Sequence, residues 1–194
     1  MAPGPERMTV AMRSLEASFL IGVEGVTESW LVRHADCYED MSDGADPPLS
    51  ALGRKQAELL GKRIGKGKHE AVYSSPYRRA LETARAISDD VRVDERLIEM
   101  KMDLGTLGEL DFKELPASAV ERMSSATSDI AQAHANGRVI VITHGAVMIM
   151  FLTHVLRLEP GRLRFLPYFT SVNVVRVLGD RQMVGTLGDT SHLE

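Results

Sequence analysis

Cysteine is nearly absent from this chain of 194 residues, where Cys37 stands alone. That excludes an intramolecular disulfide and a cysteine zinc cluster, and it suits a reducing compartment. No arginine lies six residues after Cys37, where Asp43 is found instead, so the loop of a cysteine-type phosphatase is missing. Long apolar runs are missing too. The longest, Ala146 to Leu152, falls far short of the roughly 20 residues a membrane helix needs. The N-terminus has no apolar core behind a basic start, because Glu6, Arg13 and Glu16 interrupt it. A cytoplasmic protein is expected. Nor is there a basic surplus: a net charge of −4 argues against nucleic acid or an anionic membrane as the main partner. Gly61, Gly65 and Gly67 lack the G-x-x-x-x-G-K-[ST] order of a nucleotide loop. No metal-ligand spacing is visible, so neither metal nor cofactor is expected.

What is present is an alternation of strand and helix patterns after a first segment, residues 1–26, that carries no catalytic motif. Met1 to Glu6 is expected to be disordered and Met8 to Ile21 to form a short amphipathic helix. Residues 27–194 read as one domain. Trp30-Leu31-Val32 is a short buried strand, and Ser50 caps a helix running to Ile64. Ala71-Val72-Tyr73 is a second strand, followed by Ser75-Pro76 as N-cap and first helical residue. Ala80, Thr83, Ala84 and Ile87 share one face of that helix. Val91 to Val93 suggests a third strand, residues 94–115 look irregular, and 117–135 look helical. Val139 to Ile142 is the clearest buried strand, with an apolar helix after Gly145. Val172 to Val177 and Gln182 to Leu187 form a hairpin around Gly179-Asp180. The pattern predicts an α/β sandwich whose sheet is mostly parallel, with a binding crevice beyond the carboxyl ends of the strands.

Those ends hold a restricted set of residues. One strand ends in Arg33-His34, the next leads to Arg78-Arg79, and a third ends in Thr143-His144-Gly145. Arginine forks match phosphate oxygens in pairs, and the free N–H groups of the helix after His144 also favour an anion. A neutral imidazole held at its second nitrogen is a good nucleophile toward phosphorus. Two histidines and two arginines therefore predict a phosphate site that can carry out phosphoryl transfer.

This layout resembles the histidine phosphatase superfamily, also called phosphoglycerate mutase-like. The resemblance covers about residues 28–192. Leu31-Val32-Arg33-His34 is similar to the family's first strand motif, and Pro48-Leu49-Ser50-Ala51-Leu52-Gly53-Arg54-Lys55-Gln56-Ala57 to its first helix. Ser74-Ser75-Pro76-Tyr77-Arg78-Arg79-Ala80-Leu81-Glu82-Thr83-Ala84 resembles the segment with the second arginine. Val141-Ile142-Thr143-His144-Gly145 resembles that of the second histidine, and Thr170-Ser171-Val172 and Ser191-His192-Leu193 the closing segments. The resemblance implies a three-layer α/β/α sandwich on a mostly parallel six-stranded sheet. It implies His34 as nucleophile, Arg33, Arg79 and His144 as phosphate ligands, and Glu99 in Leu97-Ile98-Glu99 as proton donor. The chain departs from the family in three places. Ala35 replaces the commoner glycine, Glu39 or Asp40 stands where many members have asparagine, and Gly105 comes two residues late. The last shift makes Asp103 a rival proton donor.

Other residues have plainer readings. His69, His134, His154 and His192 are structural, and Arg78 faces solvent. Lys62, Arg63, Lys66 and Lys68 suit a helix C-terminus. Asp43, Asp46, Asp89 and Asp90 solvate turns. Met100 and Met102 are core residues that flank Glu99 and so could line a leaving-group pocket. The function expected is a metal-independent phosphatase for a small phosphorylated metabolite. The alternatives are a cofactor-dependent phosphoglycerate mutase, a phosphohistidine protein phosphatase, and a non-catalytic phosphate-binding protein on the same fold.

Overall fold

The computed structural model describes residues 5–37, 46–65, 68–104, 110–159 and 162–194. Met1 to Gly4, Glu39, Asp40, Asp43, Lys66, Gly67 and Gly105 lie outside the described residues. The chain opens with α1 (Pro5–Ser18) and β1 (Thr27–Arg33), then α2 (Ala51–Ile64), β2 (Ala71–Ser74), α3 (Arg78–Arg85) and β3 (Val91–Val93). A short hairpin, β4 (Met102–Leu104) and β5 (Leu110–Phe112), precedes α4 (Pro116–Ala133). The second half is β6 (Arg138–Thr143), α5 (Gly145–Val155), β7 (Val172–Leu178) and β8 (Arg181–Asp189).

Six strands form one sheet in the order β3-β2-β6-β1-β7-β8. β3, β2, β6 and β1 are mutually parallel; β7 adds antiparallel to β1, and β8 antiparallel to β7 at the edge. The central strand β6 is a continuous apolar run, Val139 to Ile142, because helices cover both of its faces. Alternate residues feed two cores. Leu31, Val139 and Val141 pack with Met123 of α4 and Phe151 of α5. Val32, Ile140 and Ile142 pack with Leu60 of α2 and Ala80 and Ala84 of α3. This is the expected three-layer sandwich.

Register then brings the strand ends together. Arg33 pairs with Thr143, and Ser74 with Ile142, so the residues after β1, β2 and β6 emerge side by side. Local close approaches fix the loop after β1. The Ser50 side chain caps α2 by accepting from Gly53 N at 2.9 Å. A side chain at Gly53 would lie 1.9 Å from the Asp36 carbonyl, so only glycine lets α2 sit this near.

Three expectations change. α1 begins at Pro5, so Pro5 and Glu6 are helical rather than disordered, as suits proline in a first turn. α3 begins at Arg78, two residues later than Ser75-Pro76 suggested, and the hydroxyl of Ser75 is engaged elsewhere. The segment 94–115 is not wholly irregular, since it contains a 3-10 turn at Glu95–Leu97 and the β4–β5 hairpin.

Candidate active site

His34 follows β1 directly and is held by its own backbone, whose N–H donates to the Thr143 carbonyl at 2.9 Å. Its Nδ1 lies 2.8 Å from the Ala35 carbonyl. A carbonyl only accepts, so Nδ1 carries the proton and Nε2 keeps the lone pair. The Arg79 Nε–H points at that lone pair from 3.3 Å. Burial, then the Arg79 charge, lower the His34 pKa to about 3, so the ring is neutral at pH 7. Ala35 is fully buried against Leu49 and Ala57, and its N–H donates to Thr83 Oγ1 at 3.0 Å.

Arg33 is held by the irregular segment that precedes β7. Its Nη1 donates to the Pro167 carbonyl at 2.9 Å, and its guanidinium lies 4.0 Å above the Phe169 ring. The missing side chain of Gly145 leaves it room, since a Cβ there would sit 3.4 Å from Arg33 Nε. That Nε is buried without a hydrogen-bond partner. Arg79 enters from the first turn of α3, against the Tyr77 ring and 3.2 Å from Asp46 Oδ1. Asp46, read from sequence as a solvated turn residue, also accepts from Arg78 N at 2.9 Å through both oxygens.

His144 is fully buried, with its ring 5.1 Å from that of His34 and 5.1 Å from that of Tyr77. Burial, then the neighbouring His34 and arginines, hold its pKa well below the ordinary range. Its Nε2 is 2.8 Å from Ser75 Oγ, while its Nδ1 is buried and unpartnered. Ser75 Oγ also accepts from Tyr77 N at 3.4 Å. When the Ser75 hydroxyl donates to His144 Nε2, the imidazole proton sits on Nδ1.

Glu99 is brought to the same helix end. Its Oε1 accepts from Val147 N and Met100 N, both at 2.9 Å, and its Oε2 from Ala146 N at 3.2 Å. It therefore closes the N-terminus of α5, next to His144 and Gly145. Arg122 fixes the segment behind it through the carbonyls of Arg96 and Ile98, each at 2.7 Å. The backbone of Asp103 pairs with Asp111 across the hairpin, and its side chain lies outside the described residues.

The structure thus brings His34, Arg33, Arg79, His144 and Glu99 into one locality. Arg78 turns outward to Glu82 at 2.9 Å. Ser75, Tyr77, Thr83, Phe169 and Asp46 were not singled out as site residues. Ser75, Tyr77 and Thr83 carried a signal, their place in the Ser74 to Ala84 segment around Arg79. Among the described residues no group of three or more histidine, cysteine, aspartate or glutamate side chains could hold a metal, and no helix is long and apolar enough to cross a membrane.

Comparison with known proteins agrees with this geometry. The chain is 29% identical over 204 residues to a metal-independent phosphoserine phosphatase of Arabidopsis thaliana, covering 87% of this chain and 84% of that one. It is 30% identical over 183 residues to phosphoglycerate mutase-like protein 4 of the same plant, covering 77% of each. A phosphoserine phosphatase variant from Entamoeba histolytica, solved with phosphoserine, superposes with a TM-score of 0.73 at 21% identity, over 87% of this chain and all of that one. The model of the histidine phosphatase superfamily (branch 1) matches residues 29–118 and 105–190, and the chain belongs to that superfamily of phosphoryl-transfer enzymes.

Proposed function

We propose that this enzyme is a metal-independent phosphatase that hydrolyses a small phosphomonoester through a phosphohistidine on His34. The observation that carries the reading is the Nε2 lone pair of a buried, neutral His34, facing Arg79 and fixed by the Ala35 carbonyl. Nε2 attacks phosphorus as the P–O bond to the leaving alcohol breaks, and Nδ1 keeps its proton throughout. Arg33 Nε, Arg79 and the Nδ1–H of His144 supply donors for the phosphoryl oxygens, whose charge grows in the transition state. Glu99 protonates the departing alkoxide. It then takes a proton from water as that water attacks phosphorus and the P–N bond breaks, which restores His34. The unpartnered Arg33 Nε and His144 Nδ1 support this assignment, because buried polar groups usually have a partner and these two lie beside the His34 ring.

The similarity to phosphoserine phosphatases makes phosphoserine the first substrate to try. A reducing compartment such as the cytoplasm suits the single, buried Cys37. Turnover of labelled phosphomonoester, quenched in base, should leave a base-stable, acid-labile adduct on the peptide containing His34. Label on another residue, or none during active turnover, would overturn the mechanism. A mutase would return the label to an isomeric phosphoester rather than to inorganic phosphate.

A further inference from the structure

A concentration of cations lies outside the site around His34. α2 and α3 leave between them a groove of about 570 Å³ lined by Arg54, Arg78, Arg85 and Glu82, over a floor that includes Ala57 and Ala86. Among the described residues three guanidiniums and one carboxylate line it, in a protein whose net charge is −4. The carboxylate is already spent. Glu82 Oε1 takes Arg78 Nε at 2.9 Å, and Oε2 accepts from Leu49 N at 2.9 Å. Among the described residues neither Arg54 nor Arg85 pairs with an acid.

Exposed arginines are common and water screens them, so number alone would say little. Placement says more. Arg54 stands in the first turn of α2 and Arg78 in that of α3, where the helix dipole favours an acid and neither helix has one. Arg54 is also fastened, not free to wander: its Nη1 donates to the Leu49 carbonyl at 2.6 Å, which holds the guanidinium at the rim of the groove. The small residues on the floor leave space between the charges. A rigid guanidinium fork pairs two oxygens of a phosphate or carboxylate at once.

We propose that the α2–α3 groove is a second anion site, which takes a phosphate- or carboxylate-bearing small molecule on Arg54 and Arg85. Arg78 lines the same groove and is held by Glu82. The occupant is either a separate ligand or the far anionic end of a substrate whose phosphoryl group is at His34.

The test is a titration of pyrophosphate into enzyme saturated with orthovanadate, followed by heat and by amide NMR shifts. The expected result is one further binding event with shifts on α2 and α3. Its Kd rises with added NaCl and rises about tenfold or more in Arg54→Ala/Arg85→Ala. Arg85→Glu, which loses no hydrogen bond, should act in the same direction. Both variants should hydrolyse p-nitrophenyl phosphate as the wild type does. If the double variant raises KM for 3-phosphoglycerate but not for p-nitrophenyl phosphate, the groove holds the far end of the substrate. If it weakens pyrophosphate while both KM values stand, the ligand is separate. No binding in vanadate-loaded enzyme, or binding unchanged in both variants, overturns the proposal. The titration reads binding rather than turnover, so it stands apart from the failure of a phosphohistidine to appear.

Discussion

Two buried histidine clusters sit toward opposite ends of the same sheet, and they are finished differently. Near the amino ends of β2 and β6, His134 spends both ring nitrogens. Nδ1 meets Glu70 at 3.0 Å, and Nε2 meets Tyr73 at 3.1 Å and Arg92 at 3.2 Å. At the carboxyl ends, His34 has a lone pair that faces Arg79, and among the described residues His144 has an unpartnered nitrogen. A neighbouring acid satisfies His134, whereas His34 and His144 are surrounded by cations. Burial alone does not mark a functional histidine. What does is a buried ring with an atom left over, in a field that favours an incoming anion.

The strongest way to break that comparison is to delete each ring in turn. His34→Ala should lower kcat/KM by about 10³-fold or more, since a nucleophile is lost. His134→Ala should leave kcat/KM within about threefold while lowering Tm by about 2–4 °C, because it strands Glu70 and Tyr73 rather than the reaction. Steady-state kinetics and melting curves on both variants settle it. Near-normal turnover in His34→Ala, or a collapse in a folded His134→Ala, would reverse the assignment.

The next effect concerns the proton. Glu99→Gln should slow an alkyl phosphate by about 10²-fold and an aryl phosphate with a good leaving group much less, because the latter needs little protonation. Asp103→Asn should leave both nearly unchanged. Leaving-group dependence in Asp103→Asn instead would move the role to Asp103. Equal losses on both substrates in Glu99→Gln would mean that its three backbone bonds at the start of α5, not its proton, are what matter.

This contrast was only half legible in the sequence. Arg33-His34 and Thr143-His144 could be read because each ends a continuous apolar run, and a run of that kind locates a strand end without any knowledge of contacts. Asp46 on Arg79 and Phe169 over Arg33 could not, since they join residues 33 and 136 positions apart through loops that carry no period. Ser75 was misread for a related reason. Its local pattern is that of a helix cap, but the tertiary partner His144 claims its hydroxyl and the helix starts later. The β4 and β5 strands are three residues each, too short for alternation to register.

Acid stability sharpens the comparison further. His34 and His144 are held neutral in the fold, with pKa values depressed below 6.5 and that of His34 near 3. An unfolded ring binds a proton below about pH 6.5, so the unfolded state gains protons that the fold refuses. Stability is therefore full above that pH and declines as pH falls toward 3, by about 2 kcal/mol at pH 5 for one such ring. Asp189, lowered from 3.8 to about 2 chiefly by Arg63, contributes stability that is full above that ordinary value and is lost only below it, so it leaves the interval from pH 7 to pH 5 unaffected. Melting curves at pH 7 and pH 5 should show the loss, and His34→Ala should shrink it. An unchanged Tm between the two would mean that the rings protonate within the fold.

The smallest effect tests how far the site's support reaches. Thr170 is β-branched yet sits at φ 60°, a backbone conformation that costs energy and so must be held. Its N–H donates to the Arg33 carbonyl at 3.0 Å, and its hydroxyl donates to the Phe169 carbonyl at 2.6 Å. The hydroxyl oxygen then accepts from His192 Nε2 at 3.0 Å, while Nδ1 of that ring faces Arg63 Nη1 at 3.1 Å. An arginine cannot accept, so Nδ1 has the lone pair and Nε2 the proton, which gives the chain one consistent direction from α2 to Arg33. His192→Ala removes a link worth about 1 kcal/mol, or about fivefold in affinity. Because Arg33 already holds the phosphoryl oxygens in the bound substrate, the loss should appear mainly in KM, with a smaller fall in kcat. Arg63→Ala should move KM in the same direction and by less. A fall in kcat at constant KM in His192→Ala would place the ring in the chemical step, and no change in either constant would mean that the strain at Thr170 is held by its bonds to Arg33 and Phe169 alone.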